Sequence, residues 1–278
     1  VCKGGTAMKA ALIQMRTVSD KAENLRHARE LIDEAAKNGA DLCVLPEMFC
    51  CEYRNRSFIE NQEPAGGPAW QMLSAAAREN RVWLIGGSVP EAEDGKLYNT
   101  SFVFDREGNQ AARCRKSHLF DIAVEGGQHF KESATFTPGD EICSFDTEFG
   151  RLGLCICFDM RFPELARIMS LDGAWAVFCP ASFNMTTGPA HWEIMFRSRA
   201  VESQVYALGC APARDEQGSY VSYANSIAVS PWGDVLARAG AEETTLYVEL
   251  DPAYVESIRA QLPLMSARRT DMYTLRRV

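Results

Sequence analysis

The chain has 278 residues, 46% of them hydrophobic and 24% charged, with a formal net charge of -8. A chain near this size buries about three quarters of its unfolded surface, so it supports a large core without staples, and its composition is too apolar for disorder. The acidic balance disfavours nucleic acid or an anionic membrane as a partner, and no run of about 18 apolar residues offers a membrane span.

Residues 1–7 are polar and too short for a secretory signal, and they read as an extension ahead of a natural start at Met8. Residues 8–15 form a strand, and Asp20 caps a helix that runs to about Lys37 and ends at Asn38-Gly39. A buried strand over 41–45 stops at Pro46-Glu47, a helix follows from about Pro68 to Asn80, and a strand covers 82–85. This β-α-β-α-β order implies right-handed crossovers and parallel neighbours. Strands over 97–104 and 110–115 are joined by a hairpin-type turn at 105–109. Residues 116–140 carry Gly, His and charge with no clean period, and loops of that length in a compact domain are usually functional. Beyond them come strands at 151–156, 174–179 and 204–211, helices near 163–171 and 190–203, and an irregular stretch at 180–190. Strands at 223–230, 234–238 and 244–250 and a helix from Pro252 to about Gln261 complete the pattern. No repeat or linker divides it, which predicts one mixed α/β domain over 8–278 with helices covering two sheets.

Ten cysteines are present, and Cys43, Cys155, Cys179 and Cys210 lie inside apolar runs where a reduced thiol behaves as a small hydrophobe. This predicts free cysteines and a cytoplasmic setting rather than a disulfide framework. Ligands in open α/β sheets collect beyond the carboxyl ends of strands. Glu47, Lys116 and Cys157 each follow a strand end, so three individually ordinary residues converge on one rim. Cys157 also sits just before a helix opened by Pro163, a place that predicts a tight backbone turn and a thiol pKa drawn below about 8.5 by the helix dipole.

Leu45-Pro46-Glu47-Met48-Phe49, Arg115-Lys116-Ser117-His118-Leu119-Phe120 and the stretch from Gly153 to Glu164 around Cys157 resemble the three signatures of the nitrilase, or carbon–nitrogen hydrolase, superfamily. The likeness spans the chain from Met8. Residues 183–193, 118–122 and 130–133 are similar to its omega-amidase branch. The resemblance implies an α-β-β-α sandwich that pairs into a homodimer or a higher homo-oligomer, and amide hydrolysis through a cysteine thioester without cofactor or metal. It implies Cys157 as nucleophile, Glu47 as proton carrier, Lys116 and the backbone N–H of Phe158 as oxyanion donors, and Glu132 as a second glutamate on the lysine. Tyr53, Phe183 and Thr187 are expected to line the pocket. Arg54 or Arg161 offers a cation for a substrate carboxylate, although a clamp on its own loop is the simpler role for Arg161. Phe158 stands where relatives mostly carry tyrosine, with little loss expected because its backbone N–H is what matters, and Cys50-Cys51-Glu52-Tyr53-Arg54-Asn55-Arg56 is unusually rich in cysteine and basic residues, a departure that bears on the pocket rather than the reaction. The favoured substrate is a short dicarboxylate monoamide such as 2-oxoglutaramate or 2-oxosuccinamate, with deaminated glutathione, N-carbamoyl amines and nitriles as alternatives.

Other chemistries fit less well. Cys155 and Arg161 have the spacing of a cysteine phosphatase loop, but the residues between them are bulky and one is acidic, so no phosphate cradle forms. There is no C-x-x-C, H-E-x-x-H or G-x-S-x-G motif for a zinc site or a serine hydrolase. An inactive scaffold on the same fold is the alternative from another class, and the presence of every catalytic-type residue argues against it.

Overall fold

The computed structural model describes residues 6–277, so most of the expected N-terminal extension lies outside the described residues. The first half of the chain builds β1 (Met8–Gln14), α1 (Lys21–Lys37), β2 (Leu42–Val44), α2 (Asn55–Glu60), α3 (Pro68–Asn80), β3 (Trp83–Ile85), β4 (Val89–Glu93), β5 (Lys96–Phe104) and β6 (Gln110–Arg115). A hairpin of β7 (Asp121–Ala123) and β8 (His129–Lys131) follows, then β9 (Cys143–Thr147), β10 (Gly150–Leu154), α4 (Pro163–Leu171), β11 (Ala176–Pro180), α5 (Gly188–Ser203) and β12 (Tyr206–Cys210). The chain finishes with β13 (Ile227–Val229), β14 (Val235–Arg238), β15 (Thr244–Leu250) and α6 (Pro252–Gln261).

One sheet has the order β15-β1-β2-β3-β5-β4, with β6 on the other edge of β5; the second has the order β14-β13-β12-β11-β10-β9. In each sheet three strands separated by helices run parallel, β1-β2-β3 and β10-β11-β12, as the β-α-β pattern predicted. Strand alternation then sorts the side chains into layers. Met8, Ala10 and Leu12 of β1 face Leu152, Leu154, Phe178 and Leu208 of the other sheet, while Ala11 and Ile13 face Ala28, Ile32 and Leu73 of α1 and α3. On the far side, Val177, Cys179 and Ala207 face Met169 of α4 and Trp192 and Phe196 of α5. The result is the expected α-β-β-α sandwich. Asp20 caps α1 by accepting from the Glu23 N–H at 3.1 Å.

Several expectations are corrected. The stretch at 116–140 is not structureless, because short strands around Gly126 (φ +68°) close the β7–β8 hairpin. β4, β9 and α2 were not anticipated. The strand expected over 223–230 shrinks to β13 because Ala224 and Asn225 take left-handed φ of 57° and 62°, which no strand accommodates. Nor are all cysteines free: Cys114 of β6 and Cys143 of β9 form a disulfide with Cα atoms 5.7 Å apart. The edges of the two sheets meet there, and both residues belong to the inter-sheet core.

Candidate active site

Four strand ends build the site. β2 runs out at Pro46, whose missing N–H ends the ladder, and Glu47 then enters a sharp turn in which Met48 has φ +54°. The turn lies against Gly87 (φ +56°), where a Cβ would come within 2.1 Å of the Pro46 carbonyl oxygen, and Ser88 Oγ accepts from the Met48 N–H at 3.0 Å. Lys116 follows β6, with its N–H on the Asn99 carbonyl at 2.9 Å and its carbonyl accepting from Gly139 at 2.8 Å. Glu132 opens a 3-10 turn directly after β8, and Phe120 N–H donates to its Oε2. Cys157 opens the 3-10 turn Cys157–Arg161, three residues past the end of β10, with φ +47°. The predicted tight turn at the cysteine is therefore present.

These side chains meet in a dry cluster. Glu47, Lys116, Glu132 and Cys157 are all buried. Lys116 Nζ lies 2.8 Å from Glu47 Oε1 and 2.8 Å from Glu132 Oε2. Glu47 Oε1 also accepts from Tyr53 Oη at 3.3 Å. Burial opposes the ammonium, but Glu132 and Glu47 outweigh it and hold the Lys116 pKa well above the usual lysine value. Burial, only partly offset by Lys116, raises the Glu132 carboxyl. The Cys157 thiol is also pushed well up, first by burial and then by the Glu47 charge, against the smaller pull of Lys116 and a backbone donor at Ser182. The expectation of a helix-lowered thiol is thus overturned: the 3-10 turn is short, the sulfur is desolvated, and the Glu47 carboxyl group lies beside it.

Asp159 ties two of the strand ends together. Its carboxylate accepts from Ile156 N–H at 3.1 Å on the cysteine side and from His118 N–H at 2.8 Å on the lysine side, and His118 Nδ1 lies 2.8 Å from it. The clamp on the cysteine turn is Arg199 of α5, which donates to the Met160 and Arg161 carbonyls at 2.8 and 2.7 Å. Arg161 does not serve that role. Its half-buried guanidinium lies 4.7 Å from the Phe183 ring and 5.6 Å from the Phe158 ring, and its Nη1 meets His191 Nδ1 at 3.1 Å. Among the described residues it makes no carboxylate ion pair, and burial lowers its pKa.

Other pocket expectations fare unevenly. Tyr53 lines the mouth over Glu47 together with Cys51, Ser182 and Tyr220, and the two tyrosine rings lie 4.6 Å apart. Phe183 is buried against Trp192 and Arg161. Thr187 precedes α5, and its hydroxyl and N–H both donate to Asn184 Oδ1, at 3.1 and 2.8 Å. Arg54 is turned away from a substrate role, pairing with Glu52 at 2.6 Å on the surface. The Phe158 N–H belongs to the first turn of its 3-10 segment, where no intrahelical acceptor precedes it. Cys155 is packed in the core, as expected. Sequence reasoning missed Asn99, Asp159, Arg199 and Tyr220. Asp159, three residues beyond the apolar strand expected over 151–156, carried a usable capping signal.

A buried Cys–Glu–Lys–Glu cluster at the strand ends of a four-layer sandwich defines a hydrolase of C–N bonds, and the chain belongs to the carbon-nitrogen hydrolase family, whose profile matches residues 9–260. More particularly, it is 47% identical over 270 residues to omega-amidase NIT2 of Homo sapiens, covering 97% of this chain and 98% of that one. The structure is similar to that of Saccharomyces cerevisiae Nit3, with a TM-score of 0.88, 39% identity and coverage of 96% and 98% of the two chains. It is also similar to a variant of the amidase from Nesterenkonia sp. AN1 that carries acrylamide on its active site cysteine, with a TM-score of 0.77, 27% identity and coverage of 92% and 98%.

Proposed function

We propose that this chain acts on a short dicarboxylate monoamide, of which 2-oxoglutaramate and 2-oxosuccinamate are the type, releasing ammonia and the free acid. Family membership supports the bond type, and likeness to omega-amidases supports the substrate. The observation that carries the substrate's second carboxylate is Arg161, a half-buried cation beside the buried cluster that contacts two aromatic rings and a histidine but no acid among the described residues.

The chemistry follows from the protonation states. With the thiol pKa held high, Cys157 rests as a neutral thiol, so the proton leaves as sulfur attacks the amide carbon, and Glu47 is the acceptor. The carbonyl electron pair moves onto oxygen, where Lys116 and the Phe158 N–H stabilise it; one such donor is typically worth about 3–4 kcal/mol. Collapse breaks the C–N bond as Glu47 returns its proton to the leaving nitrogen. Water then attacks the thioester while giving a proton to Glu47, and C–S cleavage frees the carboxylic acid as Glu47 returns that proton to the leaving sulfur, restoring the thiol. Glu132 holds Lys116 and shares its charge. Two carboxylates on one lysine beside a thiol titrate as a group, which makes a flat pH–rate profile inconsistent with this scheme.

Cys157→Ala is expected to abolish ammonia release with the fold intact, whereas Cys51→Ala and Cys155→Ala retain it. Ammonia release across 2-oxoglutaramate, deaminated glutathione, N-carbamoyl-β-alanine and a simple nitrile tests the substrate; preference for any of the last three overturns the assignment. Full activity in Cys157→Ala overturns the mechanism. We also propose a homodimer, on the family resemblance and the exposed apolar side chains of Ile194 and Val201 on α5 and nearby Trp232, with sedimentation of the purified chain as its test. A cytosolic setting is supported by the seven free, buried cysteines among the described residues; the Cys114–Cys143 bridge counts against it, and counting thiols in protein alkylated on cell lysis decides.

A further inference from the structure

Asn99 stands in the middle of β5, buried, with strands paired to both its edges, and the catalytic scheme gives it no part. Its Nδ2 donates to Glu47 Oε1 at 2.9 Å and to Glu132 Oε1 at 3.0 Å, while its backbone carbonyl accepts from the Lys116 N–H at 2.9 Å. We propose that Asn99 is a positioning residue, whose single amide group fixes the spacing of the two glutamates around Lys116 and so keeps Glu47 aligned for proton transfer. The inference rests on the catalytic reading above.

The physical case is one of geometry and charge. An amide nitrogen offers two protons about 120° apart and no charge, so it can bind one oxygen of each carboxylate without upsetting the balance of two acids against one ammonium. Both N–H groups bind a carboxylate oxygen more strongly than the oxygen of a protonated acid. Asn99 therefore favours the ionised pair, in which Glu47 is free to take the thiol proton at the moment of attack, and it opposes a resting proton shared between the two acids. Any residue without two donors removes this bridge and leaves Lys116 as the group that binds both carboxylates, each then having one further donor, Tyr53 for Glu47 and the Phe120 N–H for Glu132, so that the two are freer to share a proton or move apart. An aspartate here would add a third acid and could donate only when protonated. The strand fixes the Cα, so the side chain has little freedom to relax. The remaining titratable groups facing the pair are Cys157, Tyr53 and Tyr220.

The test compares wild type, Asn99→Leu and Asn99→Asp by kcat and KM against pH, normalised to folded sites counted by alkylation of Cys157. Asn99→Leu is expected to lower kcat by about 10- to 100-fold, to change KM little, and to move the acid limb of the profile to higher pH. Asn99→Asp is expected to be active mainly on the acid side and to lose activity as its carboxyl ionises. A merely structural residue would lower the folded fraction while leaving kcat per site and the limbs of the profile in place; that result overturns the proposal. If the leucine variant does not fold, the aspartate variant, similar in size and polarity, decides by the same criterion. Loss of activity in Cys157→Ala with unchanged Asn99 variants overturns this inference alone, whereas full activity in Cys157→Ala removes the catalytic reading beneath it.

Discussion

Cys157 is held with φ +47°, a region that costs a non-glycine residue about 1–3 kcal/mol, and the surrounding bonds from Asp159 and Arg199 hold it there. The strain presents the sulfur beside Glu47, so the cost lies at the atom that reacts. Arg161 is the complementary case, a cation kept near the site without an acidic partner among the described residues. Arg161→Met keeps much of the side-chain volume and removes the charge. It is expected to raise KM for a dicarboxylate monoamide at least about tenfold, the loss of one charge-assisted contact, while leaving KM for an uncharged short amide nearly unchanged. Steady-state ammonia release on the two substrates checks this, and equal effects on both refute the carboxylate assignment.

At the scale of elements, the site is an agreement among strand ends. β2, β6 and β10 each stop where a polar residue can leave the sheet, and the loops beyond them are joined by side chains rather than by the ladders. Asp159 is the main joint, taking donors from the loops after β10 and β6. Asp159→Ala leaves the Ile156 and His118 N–H groups without their acceptor. The expected cost is about 2–4 kcal/mol of stability, measured by urea unfolding, with activity reduced at least about a hundredfold per folded molecule because Lys116 and Cys157 lose their common anchor. Retained activity at reduced stability would make Asp159 a purely structural tie.

The whole molecule stores several thiols in its layers. Burial raises Cys43 to about 12, and it pushes Cys157 and Cys179 well above the ordinary thiol range. A folded pKa above the unfolded one, about 8.5 for cysteine, means that the stabilisation is complete below that pH and is lost as pH rises toward the folded value. Each such thiol contributes a fall of about 1.4 kcal/mol per pH unit across its window. The urea midpoint is therefore expected to drop between pH 8 and pH 10, and Cys43→Ala, whatever its cost at pH 7, should make that drop shallower. A midpoint independent of pH over this range contradicts the assigned burial.

Much of this was legible along the chain. Period-two and helical patterns, Pro46 and Pro163, and the placement of Glu47, Lys116 and Cys157 after apolar runs are local facts, and local propensity with the family signatures specifies them. Asn99 is different: in sequence it is one polar residue within a strand, and its meaning appears only when that strand lies between two others and beneath two glutamates 52 and 33 positions away. The same holds for the high thiol pKa of Cys157, for the Cys114–Cys143 pairing and for the release of Arg161 from any clamping role. Helix and strand formation depend on neighbours within a few residues, whereas desolvation, charge coupling and multi-point hydrogen bonding depend on which distant groups the packed layers bring within about 3 Å.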